Sequence, residues 1–467
     1  MQLKTAHSSS FRDPSGYIFI ENNSIKRVIN PVYFNQYDAL KTSGFFDNLI
    51  KNKLLISHKE ISRTANEIII KPEQIPFITY PYEWSFNMYK EAALLTLKLQ
   101  KYSLEHGFSL KDASAFNVTF YKGKAVFIDT LSFDFYTENE PWRAYKQFIT
   151  HFLGPLLLAS YHGAHQLKLL RNFIDGVPVK MVSTMLPSKT KLSPLLYTNI
   201  HLLAKLEDKH SEDYEGKTKT ASLSKKGQLN IVKSLYEFIK KLELKEASEW
   251  GNYYNKTNYT DVAFKTKDTV INDWISKIRP SSLIDVGGND GTFVRQINYD
   301  YKEALVCDID NNAVDFNYKT TKLNKDQKML PFVLDVLNPS AAIGLNSTER
   351  ASFLQRIAAY APDVTLALAV IHHMSLSGNV PFKESAKFFA SFSKYLIIEF
   401  PKRNDSWVQR LLKSKADFED YFGFYTIENF ETAYSELFNI KEKIHIKDAE
   451  RTMYLLEIKN LNFETRA

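Results

Sequence analysis

A glycine-rich loop directly after a short apolar strand is the feature that most constrains the fold of this chain. Residues Leu283–Phe293 read L-I-D-V-G-G-N-D-G-T-F, which predicts a strand, a tight loop and the start of a helix. Glycine lets the backbone approach a bound ligand closely, and such a loop is typical of the first strand of a doubly wound α/β sheet. The positions that we expect to hold a ligand are Asp285, Gly287, Gly288, Asn289 and Gly291.

The spacing of these glycines argues against a dinucleotide cofactor. The fingerprint G-x-G-x-x-G starting at Gly287 would need glycines where the chain has Asn289 and Thr292. The pattern that remains, D-x-G-x-N-x-G, resembles the first motif of class I S-adenosylmethionine-dependent methyltransferases, usually [D/E]-x-G-x-G-x-G. The resemblance implies S-adenosylmethionine as the cofactor, which has no pyrophosphate to bind. It departs at Asn289, a small residue that is common in turns.

Length and composition place the chain among globular proteins of more than one domain. At 467 residues it predicts two domains, and 44% hydrophobic residues exclude wholesale disorder. One cysteine, Cys307, excludes a disulfide framework and a Cys-rich zinc site, and it fits a cytoplasmic protein. We expect no secretory signal and no membrane span, since the most apolar run, Phe148–Ser160, is too short. The net charge of +7 permits an anionic partner without requiring one.

The C-terminal half alternates apolar runs with segments of helical length, which predicts an α/β fold with a parallel sheet covered on both faces. A helix near Ile427–Phe438 and two further strands, predicted to pair as a hairpin, follow the fifth run. Five parallel strands and a terminal hairpin match the seven-stranded, Rossmann-like sheet of the class I methyltransferases. The predicted strands are Ser282–Val286, Ala304–Asp308, Phe332–Val336, Val364–Ile371, Tyr395–Phe400, Ile440–Ile446 and Met453–Ile458.

The composition also suggests where the domains begin and end. Residues 208–226 are polar and rich in Lys, Ser, Thr and Glu, which is typical of a linker or a long loop. We therefore predict an N-terminal α+β domain over residues 1–207 and the methyltransferase domain over residues 227–467. An amphipathic helix with apolar residues from Ile231 to Leu242 is assigned to the second domain.

Carboxylates at the ends of predicted strands two and three are further candidate cofactor ligands, because ligands of open α/β sheets bind there. The resemblance implies that Asp308 accepts from the ribose hydroxyls, and Asp310 is the alternative if the register shifts by two. Asp335 would accept from the adenine amino group, with Val336 beside the ring. Each aspartate alone could equally cap a helix or face solvent, but three at consecutive strand ends favour a bound cofactor.

The end of the fourth strand carries His372 and His373, in the run L-A-L-A-V-I-H-H-M. The resemblance implies that this strand end faces the transferred methyl group, and an imidazole can deprotonate a hydroxyl or an amine. Alternation along a strand would direct the two rings to opposite faces, so at most one would face the substrate. The alternative is a hydrogen-bonded histidine that closes the pocket. Glu399, in I-I-E-F-P-K, is a second candidate base or a carboxylate that anchors a loop.

An aromatic cluster precedes the methyltransferase sheet. Its members could cover the cofactor, bind the substrate or simply pack. The cluster comprises Trp250, Tyr253, Tyr254 and Tyr259.

Three polar residues of the N-terminal half have a characteristic spacing. Asp112 and Asn117 form the pattern D-x-x-x-x-N, and Asp129 follows in V-F-I-D after a predicted hairpin. With this spacing, the N-terminal half resembles small-molecule kinases related to the aminoglycoside phosphotransferases, whose catalytic loop has the same pattern. The resemblance implies a catalytic aspartate, with Asn117 and Asp129 binding Mg-ATP. Departures from the motif, including Thr130 in place of the usual phenylalanine and the lack of a phosphate-binding glycine loop, favour a pseudokinase that positions substrate.

Four segments spread over most of the chain are characteristic: F-R-D-P-S-G at Phe11–Gly16, the stretch Lys111–Phe133, W-G-N-Y-Y at Trp250–Tyr254, and the glycine loop. In these segments the chain resembles two-part bacterial proteins described as class I methyltransferases and related to a nodulation-associated protein. The resemblance implies methyl transfer to a hydroxyl of a glycan or a small-molecule acceptor. The alternatives are a bifunctional kinase–methyltransferase, a nucleic-acid or protein methyltransferase, and a non-catalytic interaction module. The motif N-P-P-Y of base-amine methyltransferases is absent, which makes nucleic acid the less favoured acceptor.

Overall fold

The computed structural model describes residues 5–212, 222–245, 260–415 and 420–460. Contacts divide the chain into two compact units. The first unit comprises Met1–Glu246 together with Ala342–Arg350, and the second comprises Ala247–Ala341 together with Ala351–Ala467.

The first unit begins with a four-stranded antiparallel sheet whose strand order is β1-β2-β4-β3. The first two strands form a hairpin. Asn22 and Asn23 both have positive φ angles, of 51° and 55°, which asparagine tolerates better than most residues. The strands are β1 (Gly16–Glu21), β2 (Ser24–Ile29), β3 (His58–Arg63) and β4 (Ile68–Pro72).

A long helix and four short strands follow. The long helix is α3, with Ser85 at its N-cap position. Strands β6 and β7 form the hairpin that was predicted before Asp129, and β5 pairs with β8. The strands are β5 (Phe108–Leu110), β6 (Val118–Tyr121), β7 (Lys124–Phe127) and β8 (Phe133–Phe135). The helices are α1 (Phe34–Thr42), α2 (Phe45–Lys51), α3 (Phe86–Glu105), α4 (Tyr145–Phe148), α5 (Gly154–His162), α6 (Val179–Met185), α7 (Pro194–Leu196), α8 (Leu203–Glu212) and α9 (Lys225–Lys240).

Helix α9 is the amphipathic helix that the sequence assigned to the second domain, and the structure places it with the first unit. It packs along α3 and buries Val232, Leu235 and Ile239. An apolar stripe shows that a helix packs against something, but it does not identify the partner, which explains the difference from the predicted boundary.

Segment Ala342–Arg350 belongs to the first unit although the chain on both sides of it belongs to the second. Two contacts hold it there. Arg12 donates two hydrogen bonds, of 2.9 and 2.7 Å, to the buried carboxylate of Glu349. The guanidinium carbon of Arg350 lies 4.5 Å from the ring centroid of Phe116.

The second unit contains a seven-stranded sheet of order β11-β10-β9-β12-β13-β15-β14. Strands β9 to β13 run parallel, and β15 pairs antiparallel with both β13 and β14. This confirms the predicted five parallel strands and terminal hairpin. The strands are β9 (Ser282–Val286), β10 (Glu303–Asp308), β11 (Met329–Val333), β12 (Val364–Ala367), β13 (Tyr395–Pro401), β14 (Phe438–His445) and β15 (Arg451–Ile458). The helices are α10 (Asp261–Ile278), α11 (Thr292–Arg295), α12 (Asn311–Leu323), α13 (Phe353–Tyr360), α14 (Phe382–Ala390), α15 (Ser406–Lys413) and α16 (Ile427–Ser435).

Strands β11 and β12 of this sheet end three and four residues earlier than the sequence predicts. Strand β11 ends at Val333, so Asp335 lies in the loop after the strand. Strand β12 ends at Ala367, because the chain turns at Ala369, which has a φ of 56°. Apolar residues continue past both strands, and hydropathy alone therefore extends them too far.

The core of the second unit lies between the sheet and its helices, around Trp274, Val306 and Leu366. Strand β9 is central, with β10 on one side and β12 on the other, so the crossover direction reverses beside it. Ligands of open α/β sheets bind at this position, at the carboxyl ends of the strands. Within the described residues, no helix has the length and hydropathy that a membrane crossing requires.

Candidate functional site

The predicted glycine loop forms a tight turn at the carboxyl end of β9. Gly287 has a φ of 72°, and a Cβ there would lie 2.5 Å from Cγ2 of Val370. Asn289 has a φ of 49°, in the left-handed region that asparagine can adopt. The departure from the glycine motif at this position therefore keeps the backbone shape that the motif requires.

Gly288 brings the loop against the carboxylate of Asp285. A Cβ on Gly288 would lie 2.6 Å from Oδ2 of Asp285 and 2.8 Å from Cγ1 of Val306. Gly291 lies at the N-cap position of α11. The loop is thus packed too closely on β9 and β10 to accept side chains without rearrangement.

A cavity of about 310 Å³ opens beside this loop. Most of the predicted residues line it, together with Lys267, Phe293 and several aliphatic side chains. Within the described part of the chain, Gly291, His372 and Glu399 are not among the lining residues. The predicted residues that line the cavity are Asp285, Gly287, Gly288, Asn289, Asp308, Asp335, Val336 and His373.

Asp308 ends β10 and holds the loop in place. Its Oδ2 accepts from the backbone N–H of Asn289 at 2.9 Å, and its Oδ1 accepts from that of Asp310 at 2.9 Å. Burial raises the pKa of Asp308 to about 6. Asp310 instead caps α12, since its side chain accepts from the N–H of Asn312 at 2.8 Å. The structure therefore assigns the cavity to Asp308 and the helix cap to Asp310.

Asp285 is the most unusual carboxylate of the site. It is 1% exposed, and among the described residues neither of its oxygens has a hydrogen-bond partner. Burial raises its pKa to about 7, although the nearby Lys267 charge acts in the opposite direction. A buried carboxylate without a donor is costly, so a ligand that brings a donor would be bound favourably.

Asp335 and Val336 lie in the loop after β11. Oδ1 of Asp335 accepts from the backbone N–H of Leu337 at 2.9 Å, which fixes the turn. Three carboxylates, Asp285, Asp308 and Asp335, thus border one cavity. Such a lining repels phosphate groups and suits a ligand rich in hydroxyl, amino or ammonium donors.

The two histidines lie on a helical turn and not on a strand, which corrects the prediction that their rings face opposite ways. A π-helical segment spans His373–Ser377, and the two ring centroids are 4.1 Å apart. His373 lines the cavity, and burial lowers its pKa. His372 is 2% exposed, and burial lowers its pKa well below the ordinary value. Of the two, only His373 is placed to meet a ligand.

Glu399 lies in a cluster of buried charges. Its Oε2 accepts from Nζ of Lys267 at 2.8 Å, and its Oε1 lies 3.4 Å from Nη1 of Arg451. Arg451 also donates from Nε to Oδ2 of Asp405 at 2.8 Å. These four residues, which we call the buried ion cluster, tie α10, β13 and β15 together. Because both oxygens of Glu399 face cations, the geometry favours the anchoring role over the role of a base.

Lys267 is a cavity residue that the sequence reasoning missed. It lies on the buried face of α10, four residues after Ala263 and seven before Trp274, and its Nζ is 4.4 Å from the ring centroid of Phe293. The signal was present in the sequence as a lysine within an otherwise apolar helical stripe. The aromatic residues Trp250, Tyr253, Tyr254 and Tyr259 lie outside the described residues.

In the first unit, the structure brings Asp112, Asn117 and Asp129 together. Asn117 donates to Oγ of Ser132 at 3.2 Å and also bonds to Asp112. Burial raises the pKa of Asp112, and the neighbouring Asp129 charge adds to this. Asp129 pairs with Arg27 of β2 and accepts from Ser132. Burial would raise the pKa of Asp129, but the Arg27 charge and these hydrogen bonds outweigh it and lower the pKa.

Comparison with known proteins gives one relative that matches almost the whole chain. Nodulation protein NoeA of Rhizobium meliloti (strain 1021) is 30% identical over 463 residues, which cover 96% of this chain and 95% of that protein. No family model matches the sequence.

Two solved structures show weaker likeness. The N-methyltransferase NodS of Bradyrhizobium japonicum WM9, in complex with S-adenosyl-L-homocysteine, is 12% identical, with a TM-score of 0.32. The matched region covers 46% of this chain and 94% of the NodS chain. The methyltransferase domain of bacterial CtHen1-CN is 13% identical, with a TM-score of 0.29. The matched region covers 42% of this chain and 100% of the CtHen1-CN chain. Both are too distant to assign a function.

Proposed function

This chain belongs to the family of the nodulation protein NoeA, and we propose that it transfers a methyl group from S-adenosylmethionine to an acceptor hydroxyl. One observation carries the proposal. The carboxylates Asp285, Asp308 and Asp335 border a single cavity beside a tight glycine loop, at the position where the sheet order reverses.

The residues of the cavity fit this cofactor. The carboxylate of Asp285, which has no hydrogen-bond partner among the described residues, suits an ammonium group, and Asp308 suits a pair of ribose hydroxyls. Asp335 and Val336 would contact the adenine, the first as an acceptor and the second by packing. When bound, S-adenosylmethionine supplies an electrophilic methyl group on a sulfonium.

His373 is the candidate base for the acceptor hydroxyl. Because burial lowers its pKa, the imidazole is neutral near pH 7 and can accept a proton. The cavity wall beside it includes the apolar side chains of Leu368, Val370 and Met374, which disfavour water next to the reacting groups. Alignment and desolvation supply much of the rate enhancement in such transfers.

Calorimetry with S-adenosylhomocysteine tests the cofactor assignment. We expect Asp308→Asn to lose about 1.5–3 kcal/mol of binding free energy, because a charge-assisted hydrogen-bond acceptor is removed. Asp310→Asn is the matched control, since asparagine is also a good N-cap and should leave both fold and affinity intact. If Asp308→Asn binds as tightly as the unmodified protein, the assignment of this strand end is wrong.

For the first unit we propose a kinase-like domain that recognises or positions a glycan or small-molecule acceptor. The sheet order β1-β2-β4-β3, the long helix α3, and the grouping of Asp112, Asn117 and Asp129 support this. A polar cavity of about 270 Å³ in the same unit, lined by Lys111, Asp134 and other hydrogen-bonding residues, suits a hydroxylated ligand.

A bifunctional kinase–methyltransferase is the second candidate, since the same three residues could bind Mg-ATP. The ion pair between Arg27 and Asp129 disfavours it, because a guanidinium already neutralises the carboxylate that would hold the metal. A thermal shift with Mg-ATP that disappears in Asp129→Asn would establish the bifunctional enzyme. Equal melting temperatures with and without Mg-ATP would support the positioning role.

A nucleic-acid acceptor would give a steep salt dependence of acceptor binding, because phosphate contacts release counterions. Tight cofactor binding without turnover on hydroxylated acceptors would instead indicate an interaction module.

A further inference from the structure

We propose that the polar cavity of the first unit binds a neutral sugar ring, so that this unit recognises carbohydrate. The cavity is lined by residues of β5, β8, α9 and the loop after β8. Among the described residues, Asp112, Asn117 and Asp129 do not line it, so it is a separate site from the group that they form. The inference rests on the function proposed above and deepens it, because it names a chemical class for the acceptor and assigns a binding site to it.

The first step is the charge of the cavity. Its lining contains two cations, Lys111 and Arg143, and two anions, Asp134 and Glu140. Nη1 of Arg143 lies 3.4 Å from Oδ2 of Asp134, and Nζ of Lys111 donates to Oγ of Ser15 at 2.6 Å. The formal charges balance, and both cations already have partners within this unit. The cavity therefore favours a neutral ligand over a phosphate or a carboxylate.

The second step is a buried acceptor in the lining. Gln228 is 2% exposed, and its Nε2 donates to the backbone carbonyl of Glu140 at 2.6 Å. This bond identifies the nitrogen end of the amide. The other end, Oε1, has no hydrogen-bond partner among the described residues. A buried acceptor without a donor costs free energy, and a hydroxyl group of a ligand can supply the donor.

The third step is an aromatic ring in the same lining. Phe135 is 46% exposed, and its ring stacks on Phe108 with the centroids 5.9 Å apart. The stacking fixes the ring, while nearly half of the residue stays open to a ligand. A pyranose presents C–H groups on its faces and hydroxyls around its edge. The negative face of an aromatic ring attracts C–H groups, and carboxylate and amide oxygens accept from hydroxyls.

The size of the cavity agrees with such a ligand. Its volume of about 270 Å³ lies just below the range of about 300–1,000 Å³ that is typical of small-molecule sites. It therefore suits a ligand of about one or two sugar rings. A linear polyol lacks the apolar face that Phe135 would contact, and a nucleotide carries charge that the cavity does not neutralise. A neutral sugar matches the lining in charge, in hydrogen bonding and in shape.

The alternative is a groove that binds no ligand, in which Gln228 only anchors the loop after β8. A single exposed aromatic residue is common on protein surfaces, so Phe135 alone would not indicate a site. The two interpretations differ in one measurable respect. A groove without a ligand retains no glycan, whereas a sugar site retains neutral glycans through Phe135 and Gln228.

The test uses a glycan array and calorimetry on the full chain. The array carries neutral oligosaccharides of glucose, galactose, mannose and N-acetylglucosamine, with oligosaccharides of glucuronic acid and of glucosamine as charged probes. We expect the neutral glycans to bind. For the tightest of them, Phe135→Ala should weaken the affinity about fivefold or more, because the stacking surface is lost. Gln228→Met should weaken it about threefold or more, because a hydrogen-bond acceptor is lost.

Phe11→Ala is the matched control. Phe11 belongs to the same unit and is 49% exposed, and it is not among the described residues that line the cavity. Its replacement should leave the affinity for the same glycan within about twofold. If Gln228→Met does not fold, the comparison of Phe135→Ala with Phe11→Ala decides the test, because both replace exposed rings.

Three results would overturn the inference: no glycan is retained, charged glycans bind more tightly than neutral ones, or Phe135→Ala and Phe11→Ala weaken binding equally. The proposed methyl transfer is tested separately with S-adenosylhomocysteine. All three variants should bind it as the unmodified protein does, since the cofactor cavity belongs to the second unit. If the unmodified protein does not bind S-adenosylhomocysteine, the proposed methyl transfer fails, whatever the glycan array shows.

Discussion

The two units of this protein each gather carboxylates at one place, but they satisfy them differently. In the first unit, Asp129 receives the guanidinium of Arg27 and the hydroxyl of Ser132. In the second, Asp285 is buried without a hydrogen-bond partner among the described residues. A satisfied cluster stabilises a fold, whereas an unsatisfied one costs free energy until a ligand binds. The difference is consistent with the proposal that methyl transfer takes place in the second unit.

Removing Arg27, the partner of Asp129 in the first unit, should give the largest change in stability. Arg27→Met would leave Asp129 buried without its cation, and we expect a loss of about 3–5 kcal/mol in the stability of that unit. Chemical denaturation followed by tryptophan fluorescence measures it. Lys26→Met is the matched control, because this neighbour on β2 pairs with the half-exposed Glu21. Similar losses in both variants would show that Asp129 does not depend on Arg27.

Removing the carboxylate charge of Asp285 in the second unit should increase the stability of the protein. Burial raises the pKa of Asp285 to about 7, so the folded protein binds a proton that the unfolded chain releases near pH 4. Stability from this group is therefore lost as pH rises toward 7. At pH 8 we expect Asp285→Asn to be more stable than the unmodified protein without cofactor, on the order of 1 kcal/mol or more.

The same measurement at lower pH provides its own control. As pH falls from 8 to 5, the two proteins should converge, because Asp285 becomes protonated in the folded state. A difference that stays constant between pH 5 and pH 8 would mean that Asp285 is not the group responsible.

The smallest expected effect concerns Asn289. Its φ of 49° is one that glycine adopts without strain, so Asn289→Gly should keep the loop and restore the usual methyltransferase motif. We expect a change of less than about 0.5 kcal/mol in the affinity for S-adenosylhomocysteine. A loss of tenfold or more would show that the asparagine side chain contacts the cofactor, and calorimetry distinguishes the two results.

The sheet and most of the candidate site could be predicted from the sequence, because buried parallel strands are apolar and loops next to ligands need glycine. Strand β9 has the predicted bounds, and Asp308 ends β10 as expected. The ends of β11 and β12 could not be predicted from hydropathy, because apolar residues continue into the loops that line the cavity. The turn at Ala369 is a backbone feature without a sequence signal, and it places His373 in the cavity wall.

Contacts between distant parts of the chain were also beyond sequence reasoning. The partners of Lys267 and Glu399 depend on the packing of α10 against β13, which no local pattern specifies. The apolar stripe of α9 was visible, but its packing on α3 was not. The kinase-like interpretation of the first unit stays a prediction, and the grouping of Asp112, Asn117 and Asp129 gives it a testable site.

Segment Ala342–Arg350 determines whether the two units could be produced as separate fragments. Since the segment belongs to the first unit and is encoded within the second, neither unit corresponds to an uninterrupted stretch of the gene. A fragment that begins after residue 246 would separate Glu349 from Arg12 and Arg350 from Phe116. Division of the gene at one point between the units would therefore leave the first unit without this segment.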